Sequence, residues 1–145
     1  ALASIAAWSN EAGLANLHPP LMLNAAAGEW PVAGADAILC INMVHISPWA
    51  ATLGLMAGAG RLLGIGQPLI LYGPFVEDDV PTAPSNVDFD ASLRARDPAW
   101  GLRNVREVSA AAAAQGLTLT RRVEMPANNL ILVYLPADAT SFGGA

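Results

Sequence analysis

Two β-favouring runs, Leu117–Met125 and residues 129–135, stand three residues apart, and this spacing constrains the fold more than any other feature of the chain. A connection of Pro126, Ala127 and Asn128 is too short for a parallel crossover, so the runs must pair as an antiparallel hairpin. Asn128 and Asn129 suit its turn, because short amides tolerate left-handed backbone and bond neighbouring peptide groups.

What precedes the hairpin alternates between helical and extended patterns. Leu2, Ile5, Ala6, Trp8, Ser9 and Ala12 recur at helical spacing, and Gly13 supplies a stop. Residues 21–25 read as a short strand and residues 35–44 as a second buried one, with Gly28, Pro31 and Gly34 in the loop between them. Ser47 as cap and Pro48 in the first turn open a helix whose apolar positions run from Trp49 to Leu63, closed by Gly64 and Gly66. Residues 68–72 form a third strand, which Gly73-Pro74-Phe75 breaks into a long proline-punctuated loop suited to function. Ser85 caps a helix carrying Phe89, Leu93 and Arg94 that Asp97-Pro98 ends, and a last helix over 105–115 stops at Gly116. This order is that of one α/β domain with helices on both sides of a mixed sheet.

Composition points the same way. Apolar residues make up 54% of the chain and Asp, Glu, Lys and Arg only 13%, about half the share usual in soluble domains, so many segments must be buried on both faces. A net charge of −5, with seven Arg and no Lys, leaves no basic surface for nucleic acid. Gly54, Gly58, Gly60, Arg61, Gly64 and Pro68 interrupt the most apolar stretch, so no membrane span is expected. Cys40 is alone: it makes no intrachain disulfide, belongs to no metal-binding spacing, and fits a buried, inert thiol in a reducing, cytoplasmic setting. The start lacks a signal sequence and a Met, which suggests part of a longer chain.

In open α/β sheets ligands bind beyond the carboxyl ends of the parallel strands, here residues 24–28, 42–49 and 73–77. Polar and aromatic side chains gather there. His45 is a candidate general base or a packing residue, and Asn42 a ligand contact or a loop support. Trp49, Tyr72 and Phe75 are candidate walls of a substrate pocket, or core residues. Asn86 and Arg94, with Asp90 and Arg96, lie on the helix placed to cover the site, or face solvent. Arg103, at what reads as a remote helix start, is expected to stand apart from it. A hydrolase built from Asp36, His45 and Ser47 lacks the nucleophile elbow such enzymes use.

Four segments carry a resemblance: Asp36-Ala-Ile-Leu-Cys-Ile-Asn-Met-Val-His-Ile-Ser-Pro-Trp49, Leu71-Tyr-Gly-Pro-Phe75, Ser85-Asn-Val-Asp-Phe-Asp-Ala-Ser-Leu-Arg94 and Met125-Pro-Ala-Asn-Asn-Leu130. Together they resemble a family of small methyltransferase-like proteins of bacteria and animals, itself similar to class I S-adenosylmethionine-dependent methyltransferases. The resemblance implies a Rossmann-like, mostly parallel sheet closed by the antiparallel hairpin, with S-adenosylmethionine as cofactor and no metal. It implies that Asn24 and Ala25 approach the adenine ring and that Asn42, Met43 and His45 lie under the sulfonium and amino-acid portion. Asn24 departs from the family pattern, which has an acidic residue there.

The pattern's Gly-rich loop and ribose-binding acid do not occur here, so the first two strands are expected upstream of Ala1. Residues 1–136 are then the C-terminal part of a single methyltransferase-like domain, followed by a flexible tail over 137–145. The activity implied is methyl transfer to a small-molecule or protein acceptor, without nucleic acid or membrane. The alternative is a non-catalytic methyltransferase-like binding or scaffold protein. A nicotinamide-dependent oxidoreductase is disfavoured by the closing hairpin.

Overall fold

The computed structural model describes residues 1–137. In chain order the elements are α1 (Leu2–Ala12), β1 (Ile38–Ile41), a 3-10 turn (Val44–Ile46), α2 (Trp49–Leu62), β2 (Leu69–Gly73), α3 (Pro84–Arg96), α4 (Val105–Ala113), β3 (Leu117–Met125), a second 3-10 turn (Pro126–Asn128) and β4 (Asn129–Pro136). The four strands make one sheet in the order β1-β2-β4-β3. β1 and β2 are parallel, with α2 in the crossover, and the hairpin adds two antiparallel pairings.

Strand alternation decides which face is buried. Leu69 and Leu71 of β2 share a face with Leu130, Leu132 and Tyr134 of β4, and this face packs on Leu55, Met56 and Ala59 of α2 and Val108 and Ala112 of α4. Tyr134 is fully enclosed, and its hydroxyl lies 2.9 Å from the Ser109 hydroxyl, so burying it leaves no unpaired group. The opposite face is different. Leu39 and Ile41 are 62% and 55% exposed, α1 buries no residue, and α3 buries only Asn86 and Leu93. The expected coverage of both faces is thus not met among the described residues, because α1 and α3 lie off the sheet's second face rather than across it.

Other boundaries also differ. Residues 21–25 form no strand: Leu21, Met22 and Leu23 are exposed, and no neighbouring strand offers their peptide groups a partner. The segment instead turns at Asn24, whose Oδ1 accepts from the Ala26 amide (3.0 Å) while its carbonyl accepts from that of Ala27 (2.9 Å). The strand expected over 35–44 contracts to four residues, ending where Asn42 turns left-handed at φ 53°. Ser47 does not cap α2; its hydroxyl donates back to the Met43 carbonyl (2.8 Å), and Pro48 occupies the cap position. Gly13 does end α1 in the left-handed conformation. Ala137, first residue of the expected tail, donates to the Gly116 carbonyl (2.7 Å), and residues 138–145 lie outside the described residues.

Two glycines of α2 place residues 25–30. A side chain at Gly54 would collide with the Ala25 carbonyl, and one at Gly58 with the Trp30 indole. Four residues apart on one helix face, they form the groove in which this segment lies.

Candidate functional site

The carboxyl ends of β1 and β2 lie side by side, since Ile41 pairs with Tyr72 and the Asn42 amide donates to the Tyr72 carbonyl (2.9 Å). Gly73 follows, and a Cβ there would stand 3.3 to 3.4 Å from Asn42 Oδ1 and the His45 ring. A side chain at Gly73 would press closely on these groups, and the glycine leaves them room.

His45 is held on two sides. Its carbonyl accepts from the Gly101 amide (3.0 Å), and its ring meets Phe89 of α3 edge-on, with centroids 5.6 Å apart. The residue is 4% exposed, and burial pushes its pKa below the ordinary histidine value, so the ring is neutral near pH 7. Neither ring nitrogen has a partner among the described residues, yet neither is an enclosed orphan: among those residues the orphans are only Thr52 Oγ1 and Arg103 Nε. His45 is one of the residues that line the adjoining cavity.

That cavity, of about 550 Å³, lies between the 3-10 turn after β1, the start of α3 and the hairpin turn. The first resembling segment contributes Asn42, His45 and Ile46 to its lining, and the second contributes Pro74. Ser85, Asn86 and Phe89 come from the third, and Ala127, Asn128 and Asn129 from the fourth. All ten lining residues thus fall inside the four segments. Asn86, 8% exposed, ties two walls together by donating from Nδ2 to the Asn128 carbonyl (3.2 Å). Ala127 and Asn128 are both left-handed, at φ 61° and 59°, which turns the hairpin's tip toward α3.

A second cavity, of about 460 Å³, borders the open edge of β1, and its lining includes Asn24, Ala25, Trp30, Leu39, Cys40 and Met43. The segment 42–45 thus separates two cavities, with Met43 in one and Asn42 and His45 in the other. The five residues expected at the cofactor are divided between them. The second cavity's walls are mostly apolar and suit an adenine ring, but among the described residues they include no carboxylate for ribose hydroxyls. Burial pushes the Cys40 thiol up to about 11, so it is an un-ionised wall group.

The residues expected at the substrate scatter more widely. Asn86 lines the first cavity, and Phe75 and Asn86 line a third of about 230 Å³ beside the ion pair of Arg122 and Glu77. Trp49, Tyr72 and Arg94 line none of the three. Trp49 packs against the core, Tyr72 lies on the second sheet face opposite Ile41 and Ile131, and Arg94 pairs with Asp90 (3.0 Å). Arg103 is not remote: it donates to the Ser47 and Ala99 carbonyls (2.9 and 2.8 Å) and stands 5.5 Å above the Trp49 ring. Phe89, Ser85 and the hairpin amides escaped assignment as lining residues, although the third and fourth segments contained them.

The family model described as a protein of unknown function (DUF938) matches residues 1–136. Among solved structures, that of LaPhzM is similar with a TM-score of 0.75 at 16% identity, over 93% of this chain and 40% of that one. An O-methyltransferase family 2 protein from Planctomyces limnophilus, in complex with apigenin, matches with a TM-score of 0.65 at 19% identity, over 74% of this chain and 32% of that one. Human N-acetylserotonin methyltransferase, in complex with S-adenosylmethionine, matches at 0.66 and 9% identity, over 76% and 32%. The chain therefore spans less than half the length of these structures, and its fold is that of Rossmann-like class I methyltransferases. No helix among the described residues is long and apolar enough to cross a membrane.

Proposed function

We propose, since this chain belongs to the DUF938 family, that it is the C-terminal part of an S-adenosylmethionine-dependent methyltransferase whose acceptor occupies the cavity beside His45. One observation carries this reading: the ten residues lining that cavity all come from the four segments that resemble methyltransferase-like proteins. The cofactor's contact residues here would be Asn24, Ala25 and Met43 on the β1 side, with Asn42 and His45 at the boundary.

S-adenosylmethionine, when bound, supplies an electrophilic methyl group on a positively charged sulfur. The chain's task is then positioning, desolvation and proton removal. An acceptor heteroatom that took this methyl group would have to lose a proton. His45, which lines the cavity and whose pKa burial lowers, would be the group to take it. Ile46, Pro74 and Phe89 supply the apolar part of the wall around it.

Further strands from the same protein, lying against the open edge of β1, are part of this proposal. They would supply the carboxylate and Gly-rich loop that the described walls lack. A cytoplasmic location and a small-molecule acceptor belong to it as well.

Calorimetric titration of the full-length protein with S-adenosylhomocysteine tests the reading. Binding is expected, at least tenfold weaker in Met43→Glu, which puts a carboxylate into the apolar wall, and unchanged in Arg61→Gln at the far end of α2. Absence of binding would favour the alternative, a non-catalytic methyltransferase-like module. One observation favours that alternative: Asn24, standing where the family pattern has an acid, has its carboxamide oxygen engaged by the Ala26 amide.

A further inference from the structure

Among the described residues, those lining the cavity beside His45 include no Asp, Glu, Lys or Arg, and their one titratable side chain, His45, is uncharged near pH 7. Its polar groups are chiefly amides, and two of these are oriented by chemistry. Asn86 Nδ2 faces the Asn128 carbonyl and Asn129 Nδ2 the Pro126 carbonyl (both 3.2 Å); carbonyls only accept, so each amide must turn its nitrogen there. Both Oδ1 atoms consequently point away from those bonds. Neither accepts a hydrogen bond from the described residues, and neither is an enclosed orphan. Asn129 lines this cavity and Asn86 lines both it and the third cavity, so these oxygens are free to accept from a ligand.

A site that offers carbonyl oxygens, the Asn42 amide, the Ser85 hydroxyl and a neutral imidazole, framed by Ile46, Pro74 and Phe89, carries no formal charge near pH 7 and selects its occupant by chemistry. Anions find no cation there to balance them, and ammonium ions no carboxylate to pair them, so burial of either charge is costly. A hydrogen-bond donor on a flat apolar body satisfies both the oxygens and the walls.

We propose that the acceptor is an uncharged aromatic bearing a hydroxyl group, held by donation to Asn86 and Asn129 while its ring packs on Phe89. Naming this ligand the methyl acceptor rests on the methyl-transfer reading. The acceptor's O–H bond breaks as the new oxygen–carbon bond forms, its proton goes to His45, and the donor's sulfur leaves neutral. The methyl ether so produced has lost the donor that held it, so the product is bound more weakly than the substrate and is released.

The test is fluorescence and calorimetric titration of the full-length protein with 2-naphthol, 2-naphthoate, 2-naphthylmethylammonium and 2-methoxynaphthalene, with S-adenosylhomocysteine titrated separately. 2-Naphthol is expected to bind at least tenfold more tightly than each of the other three aromatics. Asn86→Leu is expected to remove that advantage over 2-methoxynaphthalene while leaving 2-methoxynaphthalene itself bound as before, a difference that general unfolding would not produce. Ile46→Lys, at an exposed wall position that tolerates substitution, is expected to admit 2-naphthoate, so the proposal stays testable even if the Asn86 variant does not fold. Equal affinity for all four probes, or no binding of 2-naphthol, overturns the inference. S-adenosylhomocysteine binding without 2-naphthol binding would sink this acceptor class alone, whereas the reverse would sink the methyl-transfer reading and leave the ligand class standing.

Discussion

His45 and Asn42 give separable readouts at the level of single side chains. Burial lowers the His45 pKa, so below the unfolded value of about 6.5 the unfolded chain binds a proton that the folded chain resists. Stability from this source is complete above that value and is lost as pH falls from it toward the depressed folded pKa. Urea titrations between pH 7.5 and 5 should show wild type weakening over this window and His45→Phe weakening less; equal slopes would mean the ring is not buried neutral. Asp78 cannot mimic the effect, because hydrogen bonds from Arg106 and Asn104 lower its pKa from an already acidic value. Asn42, left-handed at φ 53°, calls for a different substitution. Glycine adopts that backbone freely, so Asn42→Gly should keep the wild-type melting temperature, whereas Asn42→Ala should lose roughly 1 to 2 kcal/mol. Both should weaken 2-naphthol binding equally if the side chain, rather than the backbone, serves the cavity.

Among the elements, those legible in the sequence are those whose pattern is local. The hairpin was readable because three residues cannot span a parallel crossover, and β2 because Gly73-Pro74 stops it. Residues 21–25 were misread because an apolar run becomes a strand only when another strand offers partners, and none of the described strands lies beside it. Asn86, Phe89 and the hairpin amides could be connected only through the fold, since 42 residues separate Asn86 from the Asn128 carbonyl it bonds. Gly54 and Gly58 read as interruptions of an apolar stretch, yet they are where the 25–30 segment seats on α2. Their replacement should reverse an ordinary sign. Gly to Ala inside a helix stabilises by about 1 kcal/mol on propensity, but here the new methyl meets a carbonyl or an indole and should cost about 1 to 3 kcal/mol net. Chemical denaturation of Gly54→Ala and Gly58→Ala checks this, and a stabilised Gly58→Ala would mean that Trp30 does not rest on α2.

For the molecule as a whole, the sheet's two edges are built on opposite principles. β3 carries Arg121 and Arg122 and a register irregularity between Leu119 and Arg121, devices that discourage another strand from pairing there. β1 has neither: Leu39 and Ile41 stand exposed, and its outward peptide groups have no strand partner among the described residues. An edge left in this state attracts strands. The 145-residue chain alone is therefore expected to self-associate through β1, and Leu39→Lys with Ile41→Lys should render it monomeric by light scattering. In the full-length protein, where the proposed upstream strands pair with β1 and helices cover its second face, the same two lysines would sit in a buried layer. There they should destabilise by several kcal/mol, since a buried cation without a partner is among the costliest substitutions. Opposite signs in the two contexts would mean that β1 is an interior strand in the complete sheet. Solubilisation in both would mean that it is a true edge, and the proposed donor site beside Met43 would then lack its second wall.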